Sequence, residues 1–168
     1  MTSELLIETI TMLKQRLEIR REYLARNESP TRQLLIDPLL DALGWDFEDS
    51  RRVALEFPIG QLRSDYVLIV DGRPKIVVEA KRFGTRLSGE PTKQVLRYAN
   101  KASIRYALIT DGAVWRMFDV FESRGPALHV VMDLDLIATD ATDAAHILER
   151  MTYETIESER WFRIPLSV

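Results

Sequence analysis

The chain has 168 residues, with 46% hydrophobic residues, 29% charged residues and no cysteine, which provides for one domain with its own core and excludes disulfides, thiolate metal sites and extended disorder. The net charge of −3 excludes a uniformly basic protein, yet residues 51–105 hold 12 Lys/Arg against 5 Asp/Glu while the remainder holds 11 against 21. No apolar run approaches the roughly 20 residues of a membrane span, and the acidic N-terminus MTSELLIETITMLKQ is no secretory signal; the expected location is the cytoplasm.

Residues 3–26 carry Leu6, Ile10, Leu13, Leu17 and Leu24 at helical intervals, with Glu and Arg between them, and this predicts one long amphipathic helix. In NESPTRQLLIDPLLDALGW, Ser29 suits an N-cap, Pro30 a first helical position and Gly44 a C-terminal cap. Leu34, Leu35, Leu39, Leu40 and Leu43 give the apolar face, and Pro38 should bend or interrupt this second helix. From Val53 the period changes to that of strands. VALEF reads as one, ended by Pro58 and Gly60, and DYVLIV and KIVVEA as two more joined by a turn at Asp71-Gly72-Arg73-Pro74. Both faces of that hairpin are apolar, which places it centrally in a sheet covered on both sides. Residues 91–102 read as a helix, IRYALITDG and AVWRMFDV as a strand pair turning at Asp111-Gly112, ALHVVMDL as a further strand, and Thr139 to Ile156 as a last helix. The order predicts a single mixed α/β domain over residues 1–168, built on one sheet flanked by helices on both faces.

The central hairpin carries the chemistry. With its turn centred on Gly72, position 65 faces position 79, and alternation puts Asp65, Glu79 and Lys81 on one face. Directly opposed side chains have Cβ atoms about 5 Å apart, and two carboxylates there repel unless a proton or cation sits between them. Mg²⁺ takes oxygen ligands and commonly uses one or two protein carboxylates with several waters. The pattern therefore suggests a metal site at the rim of the sheet, with Lys81 in reach of a metal-bound water or a phosphate oxygen. The rival reading is a solvated cluster at a hairpin end.

The spacing SD, 13 residues, EAK is similar to the signature of the PD-(D/E)xK nucleases, with Ser64 where many members have proline. Together with NESPTRQLLIDPLLDALGWD, KIVVEAKR, KQVLRYAN and ALITDGAVWRMFD, it resembles the N-terminal nuclease domain of type I restriction enzyme R subunits, over a core of about Glu28 to Asp119. The resemblance implies a restriction-endonuclease-like fold, metal-dependent hydrolysis of DNA phosphodiesters, and Mg²⁺ as cofactor with Mn²⁺ as a substitute. It implies Asp65 and Glu79 as metal ligands, Glu28 supporting them, Lys81 as the catalytic lysine, and Gln94 and Tyr98 as a Q-x-x-x-Y pair on one helix face.

Rival readings stand beside these. Glu28 suits a helix N-terminus by charge alone, Tyr98 suits a core edge, and Gln94 a wet surface. Arg82, Arg86, Lys93, Arg97 and Lys101 are phosphate contacts or ordinary surface. His129 and His146 lack partners at zinc spacing, and His129 reads as a packed or surface residue. Trp45, Trp115 and Trp161 read as core or interface anchors.

The chain has no G-x-x-x-x-G-K-[ST] phosphate loop, so translocation along DNA is not expected of it, nor does any segment read as a recognition helix. Expected partners are DNA, with RNA open, a second copy of the chain and separately encoded subunits. An alternative from another class is a weak or inactive nuclease-fold module that binds nucleic acid or assembles with a partner protein, for which the apolar first helix offers a surface.

Overall fold

The computed structural model describes residues 2–124 and 127–158; Trp161 lies outside them. Helix α1 spans Thr2–Ile19, and its Leu6, Ile10, Leu13 and Leu17 are buried. The expected single helix over 3–26 is split, because a break at Arg20 separates α1 from α2, Arg21–Leu24. Arg20 and Arg21 stand where the apolar stripe would continue, so the core offers that turn no purchase until Leu24, which is fully buried.

Helix α3, Glu28–Thr31, starts one position before the expected cap, with Asn27 and not Ser29 in the extended N-cap conformation. Its chain passes into a π-helical segment, Arg32–Ile36, and then α4, Asp37–Ala42. Pro38 accounts for the irregularity. It has no N–H to give the Leu34 carbonyl, which is four residues back. Arg16 of α1 donates its Nη1 to that carbonyl instead, at 2.8 Å.

Six strands form one sheet in the order β1 to β6: Val53–Ile59, Leu62–Val70, Arg73–Ala80, Tyr106–Thr110, Val114–Arg124 and Ala127–Asp135. All neighbours are antiparallel except β3 and β4, which are parallel and joined through helix α5, Glu90–Ala102. Strand β1 runs past the expected end and includes Pro58, which an edge strand tolerates because it pairs on one side only.

The central hairpin has a tighter turn than expected. Val70 pairs with Arg73, so Asp71 and Gly72 alone make the turn, both at positive φ (50° and 71°), as a type I′ turn requires. A bulge at Leu68/Ile69 then shifts the register by one, and Tyr66 faces Val78. Continued by one residue, Asp65 stands opposite Glu79. The register read from the sequence is restored by two irregularities that cancel.

One sheet face buries Tyr66, Leu68, Ile76, Val78, Leu108, Trp115 and Met117 against α1, α4 and the C-terminal helices. The other buries Val67, Val77, Ala107, Ile109 and Phe118 against Val95, Tyr98 and Ala99 of α5. The sequence predicts one helix over 139–156; the chain forms α6, Ala141–Leu148, a single 3₁₀ turn, and α7, Tyr153–Glu157. The interruption falls at Thr152, whose extended backbone and hydroxyl cap α7 at the Thr155 N–H. Trp45 and Trp115 are core anchors, fully buried, each donating its indole N–H to a backbone carbonyl, of Met151 at 2.8 Å and Gly112 at 3.2 Å. His129 is exposed on β6. Among the described residues no helix is long and apolar enough to cross a membrane.

Candidate active site

The site residues gather where β2 begins and β3 ends, at the rim where the two helical layers meet. Alternation puts Glu79 on the same face as Val77 and Asp65 on that of Val67, the face that α5 covers. Glu79 is buried and Asp65 half-buried. Asp65 ends the β2–β3 ladder itself, with Oδ2 accepting the Ala80 N–H at 2.7 Å.

Lys81 turns back along its own strand. Its Nζ donates to Glu79 Oε1 at 2.6 Å and to Gln94 Oε1 at 3.2 Å. The Gln94 amide in turn donates its Nε2 to the Tyr98 hydroxyl at 2.7 Å. The four-residue spacing on α5 therefore delivers an unbroken chain from carboxylate to phenol. The Lys81 backbone N–H is held by the Thr110 carbonyl at 2.8 Å. The loop beyond is pinned from both sides, by Thr31 Oγ1 accepting from Phe83 N at 3.0 Å and Asp111 Oδ2 accepting from Gly84 N at 3.0 Å.

Glu28 opens α3, half-buried, within electrostatic range of Asp65 and Lys81. Burial first, then the charge of Asp65, pushes its carboxyl upward, against the pull of Lys81 and Arg32. Asp65 is likewise raised by burial, with the Ala80 N–H and Arg32 opposing. Glu79 is pushed up to about 7 by burial above all; the hydrogen bond and charge of Lys81 pull against this, while Asp65 and Glu28 add repulsion.

Two participants escaped the sequence reading. Arg32 donates Nη1 to Asp65 Oδ1 at 3.2 Å and to Glu56 Oε1 at 3.0 Å. Its Nε donates to the Tyr66 hydroxyl at 2.9 Å, and its guanidinium lies 4.6 Å from that ring's centroid. The Tyr66 hydroxyl donates to Asp37 Oδ1 at 2.6 Å. Glu28 and Arg32 stand four apart, but the passage into the π-helical segment at Arg32 removes the regular period by which that spacing would place them on one face. Glu56 has φ of 47° and lies in β1 between Leu55 and Phe57, which pair with Tyr66 and Ser64, so it stands beside Asp65. No sequence pattern announces that backbone.

Among the described residues no three His, Cys, Asp or Glu side chains are grouped so as to hold an ion by themselves. The donor set still suits a hard divalent cation. Asp65 and Glu79 could supply the one or two carboxylates that Mg²⁺ commonly takes, with water completing its shell. Their mutual repulsion is what a cation would relieve. Arg82, Arg86, Lys93, Arg97 and Lys101 are all exposed, Arg97 pairing with Glu90 at 2.9 Å.

A family model described as the type I restriction enzyme R protein N terminus matches residues 27–133. No curated protein matches the chain. A fragment assigned to an HsdR subunit of a type I restriction enzyme from Vibrio vulnificus YJ016 is 23% identical over 74% of this chain and 25% of its own, with a TM-score of 0.46. The type IIG restriction endonuclease BpuSI is 16% identical over 88% of this chain and 17% of its own, with a TM-score of 0.41. The chain thus spans a quarter of the first structure's length and 17% of the second's.

Proposed function

The chain belongs to the type I restriction enzyme R protein N-terminal family, and from that premise we propose that it is a metal-dependent nuclease module hydrolysing DNA phosphodiester bonds. The observation that carries the reading is the meeting of Asp65, Glu79, Lys81, Gln94 and Tyr98 at one rim, with Glu28 alongside. Asp65 and Glu79 would hold Mg²⁺ or Mn²⁺, and Glu28 would support them. When bound, the cation supplies polarisation of the scissile phosphoryl group and a water of lowered pKa.

The chain's own residues do the rest. Lys81 has three N–H donors, two of them engaged by Glu79 and Gln94, which leaves one to orient the attacking water or meet a phosphoryl oxygen. Gln94, fixed by Tyr98, keeps the ammonium from drifting towards solvent. Buried Glu79 must lose its proton to serve as ligand, and a value near 7 puts that loss within the physiological range. The exposed cations Arg82, Lys93 and Arg97 adjoin Lys81, Gln94 and Tyr98 in sequence and suit phosphate contacts.

The test is cleavage of supercoiled, linear and single-stranded DNA with Mg²⁺ or Mn²⁺. Asp65→Ala and Lys81→Ala are each expected to lower the rate by about 100-fold or more. Activity that persists in both variants ends the assignment.

One observation favours a second reading, a nuclease-fold module that binds nucleic acid or a partner without cutting. Both ligand carboxylates already carry a protein cation, Arg32 on Asp65 and Lys81 on Glu79. Calorimetry separates the two. Absence of Mg²⁺ or Mn²⁺ binding at millimolar concentrations, with DNA still bound, selects the module.

A further inference from the structure

Arg32 carries no role in the sequence reading, although it lies within the stretch NESPTRQLLIDPLLDALGWD, yet it is among the site's most tightly held side chains. The guanidinium is fixed on three sides: by the Tyr66 ring beneath it, by the Tyr66 hydroxyl at Nε, and by Glu56 at Nη1. Tyr66 is itself locked by Asp37. The same Nη1 reaches Asp65 Oδ1 at 3.2 Å. The side chain is 21% exposed, so its charge is only partly screened by water.

From this geometry we propose that Arg32 is the resident counter-charge of the carboxylate cluster, competing electrostatically with the divalent cation for Asp65 and keeping its binding weak and exchangeable. The inference rests on the nuclease reading and goes beyond it by assigning a residue that sets cation affinity. Two features distinguish Arg32 from an ordinary ion pair. It is braced by Tyr66 and Glu56, so it does not swing away when a cation arrives. It also faces the ligand that β2 supplies, whereas Lys81 faces the one from β3; the two cations divide the two carboxylates between them. A fixed positive charge beside a cation site lowers affinity for the cation by Coulomb repulsion and by satisfying a ligand's lone pair. In the cation's absence it spares Asp65, Glu56 and Glu28 their mutual repulsion.

The experiment is calorimetric titration of Mn²⁺ into the metal-stripped full chain, for the parent, Arg32→Met, Arg32→Gln and Arg32→Lys. Met and Gln remove the charge, and Gln keeps a donor for the Tyr66 hydroxyl. Both are expected to bind Mn²⁺ about fivefold or more tightly than the parent, while Lys stays within about twofold of it. Thermal melts supply an independent readout: Met and Gln lose stability in chelator and regain more of it with Mn²⁺ than the parent gains. A purely structural arginine would lower both melts equally. Unchanged or weaker Mn²⁺ affinity in both Met and Gln overturns the inference, as does failure of both to fold with Mn²⁺ present. A parent chain that takes up no Mn²⁺ sinks the nuclease reading instead. In that case acquisition of Mn²⁺ binding by Met and Gln upholds the counter-charge, and its absence overturns that too.

Discussion

Glu79 combines burial with repulsion, and its carboxyl is shifted from the ordinary 4.5 to about 7. A carboxyl raised on folding stabilises the protein in its protonated form. That contribution is complete below pH 4.5 and is lost as pH rises through about 7. In chelator, Glu79→Gln is therefore expected to melt about 5 °C above the parent at pH 8, the gap closing towards pH 4.5. Differential scanning calorimetry across that range checks it. The Tyr98 hydroxyl makes a different prediction. Tyr98→Phe leaves the Gln94 Nε2 without its acceptor and loosens the support of Lys81 without touching either carboxylate. Turnover should fall about three- to tenfold with cation affinity unchanged, as steady-state kinetics beside calorimetry would report. The proximity of Asp65, Glu79 and Lys81 was legible because strand alternation runs through β2 and β3 and carries one residue past Ala80. That of Gln94 and Tyr98 was legible because the resemblance pointed to them and their spacing of four shares a helix face. Arg32 and Glu56 were not. One projects from a π-helical turn created by a proline six residues on, and the other from a strand residue with φ of 47°; neither obeys a period.

At the scale of elements, the β4–β5 turn and the π-helical segment are fitted to each other. Gly112 has φ of 85°, and a Cβ there would lie 2.6 Å from Leu35 Cδ1 and 2.8 Å from Leu35 Cβ. Gly112→Ala adds a strained backbone to a collision with a buried side chain, and should destabilise by about 2 kcal/mol or more in urea unfolding. Gly60 is the instructive contrast. Its φ is 65°, but the nearest atom to a Cβ is Lys101 Nζ at 2.5 Å, the mobile end of an exposed chain, so only the backbone strain of about 1 kcal/mol applies. The Arg16 guanidinium is expected to matter more than a surface arginine usually does. Arg16→Met strips the Leu34 carbonyl of the donor that Pro38 cannot replace, at a cost of about 1–2 kcal/mol in the same measurement. The elements themselves were readable where polarity alternated regularly. The breaks at Arg20 and Thr152 were not, because each depends on what the core offers that turn of helix and not on local propensity. The hairpin shows the converse: its turn is tighter than the one read and its bulge was unread, yet Asp65 still stands opposite Glu79 because the two departures cancel.

Across the whole molecule, charge is segregated along the sequence. The basic stretch from Arg51 to Arg105 includes the site strands and α5, and Arg82, Arg86, Lys93, Arg97 and Lys101 are exposed. If about four of them meet phosphates, the logarithm of DNA affinity should fall against the logarithm of salt with a slope near −4 for duplex. Fluorescence anisotropy over a salt series measures that slope, and Lys93→Ala with Arg97→Ala should flatten it by about 2 units. The parallel pairing of β3 with β4 carries a last consequence. Lys81 leaves β3 with its backbone N–H on the Thr110 carbonyl, 29 residues later and across the α5 crossover. During synthesis the acidic and lysine side chains are thus made well before the strand that fastens them. A chain that stops short of Thr110 holds every residue of the candidate site but not the strand that fastens Lys81, so the site is completed only once β4 has been made and has paired with β3.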